Sequence, residues 1–118
     1  MQDKYIEVMP GVHSRLLYCS DEAVVIETLL EKGAVVPKHS HTSLQVSFCQ
    51  RGLLELKIGG KTVVMRPGDL QVIPPGVEHE ARALEETVVV DVNAPFTEDR
   101  KGLVEKLGGC QAAQVKKG

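Results

Sequence analysis

Three histidines and one glutamine hold the spacing in this chain best suited to chemistry. His39 and His41 stand two residues apart, and residues at that spacing in an extended strand point to the same side of a sheet. Gln45 follows, and His79 lies far along the chain in a second stretch punctuated by glycine and proline. Three neutral imidazoles and an amide oxygen suit a divalent transition metal such as Zn, Ni, Fe, Mn or Cu. The amide coordinates without bringing charge. The full dipositive charge therefore stays on the ion, which strengthens its Lewis acidity toward a substrate oxygen or a bound water.

Two further residues are candidate catalytic groups. Asp91 is an acid within an otherwise apolar run, Val88 to Val92, where it can act as general acid or base if its face lines a pocket. Arg100 can hold a substrate carboxylate bidentately. Arg15 is a weaker candidate for the pocket rim, and Phe96 for a hydrophobic lid or a dimer contact. His13 reads as an ordinary surface or core histidine, and Cys49 as an inert core thiol.

The elements that must position these groups are short. Glycine and proline interrupt the 118 residues often, and the apolar runs between them are brief and rich in β-branched residues, a pattern of strands. Strands are expected over 12–18, 23–30, 44–50, 54–58, 61–66, 70–73, 79–84 and 87–92. On the strand from Leu44, Gln45, Ser47 and Cys49 share one face and Leu44, Val46 and Phe48 the other. Gly59-Gly60 marks a two-residue hairpin. Beyond Pro95, Thr97 is the expected N-cap of a short helix, with Leu103, Val104 and Leu107 on one face. Residues 1–108 read as one domain and 109–118 as a disordered tail.

Composition excludes several classes. The net charge is −2, and Trp is absent with two Tyr and two Phe, so neither a basic stripe nor an aromatic platform for nucleic acid is present. No apolar run approaches a membrane span. Residues 1–7 lack the basic-then-apolar pattern of a signal peptide. Three widely spaced cysteines without a C-x-x-C suggest free thiols and a cytoplasmic location.

The spacing carries a resemblance. Gly33, His39, His41, Gln45 and Gly52 resemble the first motif of the cupins, and Gly68, Pro74, Gly76 and His79 the second, with every gap in register. Gln45 stands where the family usually has Glu, and Ala83 where Asn is common. The resemblance implies an all-β fold, the cupin double-stranded β-helix: a jelly-roll-like barrel with the metal inside, here followed by a short C-terminal helix. It also implies a homodimer.

A narrower resemblance is to the small cupins of uronate metabolism, which open unsaturated uronic acid rings from pectin and alginate breakdown. They use a His/His/Gln/His metal and an Asp on the last strand, followed by an aromatic residue, a proline and an arginine. Asp91 matches that Asp, Asn93 stands in the aromatic position, and Arg100 is the residue with the chemistry for the arginine. The expected function is metal-dependent lyase or isomerase chemistry on a small sugar-derived acid. A metal-dependent dioxygenase and a non-catalytic metabolite-binding module are the alternatives.

Overall fold

The computed structural model describes residues 4–111. Ten strands run in order: β1 Ile6–Met9, β2 Val12–Cys19, β3 Val24–Leu30, β4 Val35–His39, β5 Leu44–Arg51, β6 Leu54–Ile58, β7 Lys61–Met65, β8 Leu70–Ile73, β9 His79–Ala83 and β10 Thr87–Ala94. A 3-10 turn, Glu98–Arg100, leads into helix α1, Lys101–Lys106. The strands make two antiparallel sheets, one ordered β1-β2-β3-β10-β5-β8 and the other β4-β9-β6-β7.

Alternation builds the barrel. Along β3, Val24, Ile26, Thr28 and Leu30 are buried while the residues between them are half-exposed. A sheet with one face against the core selects this period. The inward residues of both sheets, among them Val12, Leu30, Leu54, Leu56, Met65, Ile73 and Val89, form the main core. Burying each large apolar side chain stabilises by about 1.5–3 kcal/mol. A second cluster at one end sets Leu16, Val24 and Ile26 against Val104 and Leu107 of the helical segment, with Phe96 packed beside them. The helix therefore closes one end of the barrel.

Gly52 links β5 to β6 at φ +96°, and a Cβ there would lie 2.2 Å from the Glu86 carbonyl oxygen. Only glycine fits both the conformation and the space. The two-residue hairpin is present, with Ile58 paired to Lys61 across Gly59-Gly60.

Three expectations are corrected. β1 precedes the first expected strand and pairs antiparallel with β2. Thr97 takes the expected N-cap position with Glu98 and Asp99 in the first turn, but its side chain makes no cap bond and the segment after it starts as a 3-10 turn. Its hydroxyl instead donates to Asp99 Oδ1 two residues on, a local bond that competes with capping. The three cysteines are not all free: Cys19 and Cys110 form a disulfide, and Cys49 is the buried free thiol. Cys110 falls in the expected tail and is tied to the barrel; residues 112–118 lie outside the described residues.

Candidate metal centre and cavity

The four sequence-expected ligands converge from both sheets. His39 ends β4 and His79 begins β9, and the two are directly paired across the smaller sheet. Gln45 comes from β5 of the larger sheet. His41 lies beyond the end of β4, so shared strand parity does not place it. A loop does: Gly76 N–H donates to the His41 carbonyl at 2.8 Å, and Ser43 supports the ring. The ligating nitrogens of His39, His41 and His79 all lie within 4.8 Å of one another.

Hydrogen bonds set which nitrogen faces the centre. His39 Nδ1 donates to the Pro37 carbonyl at 2.9 Å, and His79 Nδ1 to the Val77 carbonyl at 3.0 Å. A carbonyl only accepts, so Nδ1 carries the proton and Nε2 of the neutral ring presents a lone pair. His79 Nε2 is buried with no hydrogen-bond partner. Ser43 offers His41 Nδ1 both an acceptor, its carbonyl at 3.2 Å, and a donor, its hydroxyl at 3.1 Å. His41 can therefore turn its Nε2 into a ligand without a change in charge. Burial lowers the His79 pKa to about 4 and moves His41 in the same direction, which keeps both rings in the neutral, ligating form. An orphaned buried nitrogen, carbonyl-fixed tautomers and a neutral amide together fit a divalent transition metal.

Gln45 is held at both ends of its amide. Asn93 Nδ2 donates to Gln45 Oε1 at 3.3 Å, and Gln45 Nε2 donates to Ser47 Oγ at 3.0 Å. Ser47 Oγ in turn donates to Asp91 Oδ1 at 2.6 Å, and Arg100 Nε donates to Asn93 Oδ1 at 3.2 Å. Asn93 is fully buried and joins the metal ligand to the cation. As a ligand-orienting group it escaped sequence reasoning. Its parity with Asp91 on β10 was the available signal.

A cavity of about 370 Å³ opens beside the centre, within the range of small-molecule sites. His39, His79, Gln45, Ser47, Asp91 and Arg100 all line it, and most of the remaining wall is apolar. Burial raises the Asp91 carboxyl above its ordinary range, against the Ser47 hydrogen bond and the Arg100 charge. Arg100 reaches the cavity because the segment after Pro95 folds over the barrel end. Asp99 fastens that segment to the metal loop, accepting from the Thr42 N–H at 2.8 Å and from the Thr42 hydroxyl.

Other candidates are not brought to the site. Arg15 pairs with Glu27 at 2.7 Å and lies over the Tyr5 ring, because its neighbours Ser14 and Leu16 take the inward positions on β2. Phe96 packs into the second core cluster. His13 bonds Glu31 at 2.7 Å, with Glu7 nearby, in a group that does not line the cavity.

Comparison with known proteins agrees with this geometry. No curated protein matches the chain. Among solved structures, KdgF from Halomonas sp. is 26% identical with a TM-score of 0.78, covering 82% of this chain and 90% of that one. An RmlC-like cupin from Shewanella frigidimarina is also 26% identical at TM-score 0.78, covering 83% and 88%. Salicylate 1,2-dioxygenase from Pseudoaminobacter salicylatoxidans shares the fold at 16% identity and TM-score 0.71, with 86% of this chain covering 28% of that one. The Cupin domain model matches residues 26–93, a span that begins on β3 and ends at Asn93, with all four converging ligands inside it. With two rolled antiparallel sheets enclosing three imidazoles, this chain belongs to the cupin family.

Proposed function

We propose that this cupin is a metal-dependent enzyme acting without redox change on a small carboxylic acid, with unsaturated sugar-derived acids as the first candidates. One observation carries the reading: Asp91 and Arg100 line the same cavity as the ligating face of His39, His79 and Gln45. The likeness to KdgF from Halomonas sp., beside the resemblance of the ligand set and Asp91 to the small cupins of uronate metabolism, supports the substrate class.

His39, His41, His79 and Gln45 would hold the ion, which when bound supplies Lewis acidity at a substrate oxygen. Arg100 binds the substrate carboxylate through the guanidinium edge not engaged by Asn93, which orients the ring in the cavity. Asp91 receives or returns the proton at its carboxyl, and its raised pKa brings that exchange closer to neutral pH. Ser47 donates to Asp91 Oδ1 and so fixes the carboxyl in the cavity wall. The apolar walls exclude water and so strengthen each of these polar contacts.

The cytoplasmic location expected from free thiols loses its basis with the Cys19–Cys110 bond. Among the described residues, no helix is long and apolar enough to cross a membrane.

The test has two parts: elemental analysis of protein purified without added metal, then a screen of unsaturated uronates under anaerobic conditions. Anaerobic turnover that falls about 10²–10⁴-fold in Asp91→Asn, with ligand still bound, supports the reading. Oxygen uptake with bound iron or copper would replace it with the dioxygenase alternative. Binding without conversion of any acid would leave a metabolite-binding module.

A further inference from the structure

The cavity wall carries a polar pair that the metal centre does not use. Ser14 on β2 and Thr28 on β3 are register partners, both buried, and both line the cavity. Their hydroxyls are 2.8 Å apart, and among the described residues this is the sole side-chain hydrogen bond of either. Each hydroxyl offers one proton and two lone pairs. Their mutual bond leaves one proton and three lone pairs directed at no protein group.

The surrounding wall is apolar: Val12, Leu30, Leu54, Leu56 and Val89 line the same cavity. In such a wall, two methyl-bearing side chains would pack at no desolvation cost, whereas buried hydroxyl capacity left unused is unfavourable. Spare polar capacity facing a cavity is the property of a ligand contact. The register gives its distance from the rest of the site. Thr28 pairs with Val89, two residues along β10 from Asp91 and four from Asn93, which pairs with Gln45. At a strand rise of about 3.4 Å per residue, the pair stands roughly 7 Å along the strands from Asp91 and roughly 14 Å from the Gln45 row. A sugar ring with its substituents matches the shorter interval, between the hydroxyl pair and Asp91.

We propose that Ser14 and Thr28 form a second polar subsite that binds a hydroxyl group of the substrate at the end of the cavity away from the metal. The subsite selects a hydroxylated ring over an acid of the same shape without hydroxyls. This deepens the small-acid reading and rests on it for the carboxylate end alone.

The test is titration calorimetry of zinc-loaded protein with three probes: D-galacturonate, tetrahydropyran-2-carboxylate, which keeps ring and carboxylate without hydroxyls, and methyl β-D-galactopyranoside, which keeps hydroxyls without the carboxylate. Wild type is expected to bind galacturonate about tenfold more tightly than tetrahydropyran-2-carboxylate. The Ser14→Ala/Thr28→Val double variant should lose that preference through weaker galacturonate binding, with tetrahydropyran acid binding and zinc content unchanged and the melting temperature not lowered. Thr28→Ser should keep the preference. Its persistence in the double variant, or its absence in wild type, overturns the subsite. If wild type binds the galactoside but neither acid, and the double variant loses that binding, the subsite stands and the acid reading falls. Binding of none of the three overturns both.

Discussion

His41 Nε2 stands 2.7 Å from Gln45 Oε1. Two lone pairs at that separation need a proton or a cation between them. Without metal, the proton sits on Nε2 and Ser43 Oγ donates to Nδ1; for Nε2 to act as a ligand the proton would have to lie on Nδ1, where the Ser43 carbonyl would accept it. Ser43 thus offers a partner to either neutral tautomer of His41.

Metal binding should be readable as stability. Zinc at a hundred times its Kd is expected to add about 2.7 kcal/mol, seen as a rise in melting temperature. His41→Ala and His79→Ala should abolish both the rise and metal retention. His13→Ala, in the group with Glu31, should leave both intact. Equal loss in all three variants would place the ion elsewhere.

Asn93 should matter more than its distance from the substrate suggests. Replacing it with Ala removes one of the two donors to Gln45 Oε1, the other being His41 Nε2 in the metal-free protein, and leaves Arg100 without its anchor at Asn93 Oδ1. A loss of about 1–3 kcal/mol in stability and of about 10–100-fold in metal affinity is expected. Denaturant melts and competition with a chelator measure the two separately. Unchanged chelator competition would show that Gln45 needs no orienting partner.

Acid sensitivity of the metal-free protein follows from the imidazoles. His79 titrates at about 4 in the fold against an ordinary 6.5, so the unfolded chain binds more protons between those values. Stability is then complete above pH 6.5 and falls as pH drops toward 4, at up to about 1.4 kcal/mol per pH unit for each such histidine. His41 acts in the same direction. Asp91 acts in the opposite one, because its raised pKa makes the folded state bind the proton above 3.8. Asp91→Asn should therefore steepen the acid loss, and a shallower slope in that variant would contradict the assignment.

The disulfide joins residues 91 apart in sequence. Closing so long a loop constrains the unfolded chain, and Cys110→Ser is expected to cost about 2–5 kcal/mol in denaturant melts. Under native, non-reducing conditions Cys49 should resist thiol reagents, since it is buried and burial raises its pKa. Labelling of three thiols in denaturant without prior reduction would show that the bond is absent.

The homodimer expectation has a candidate surface. Leu44, Phe48, Leu70 and Val72 are exposed on the outer face of β5 and β8, and Phe48 pairs with Leu70 and Val46 with Val72. A charge-free strip of this kind on an edge strand suits a second copy. Sedimentation is expected to give a dimer, and Leu70→Asp a monomer with unchanged metal content. A monomeric wild type would remove the proposal.

Much of the site was legible in one dimension because sheet chemistry is periodic. Gln45, Ser47 and Cys49 share the inner face, and Asp91 shares one with Thr87 and Val89, because strand parity admits no other arrangement once one face is buried. Gly52 was readable only as the glycine that ends the strand from Leu44; that its contact with Glu86 leaves room for no side chain was decided by the fold. Parity does not reach loops or crossings, however. His41 lies past its strand and is placed by Gly76 and Ser43. Asn93 becomes a ligand-orienting group only because Arg100 arrives from the segment beyond Pro95. Ser14 and Thr28 face a cavity only once the larger sheet has curled over the smaller one. Cys19 meets Cys110 only when the helix closes the barrel end. Residue types and short-range spacing determined which groups can bind a metal or carry a proton. Which of them share one enclosed volume was decided by the closing of two sheets, because contacts between distant segments depend on the whole path of the chain.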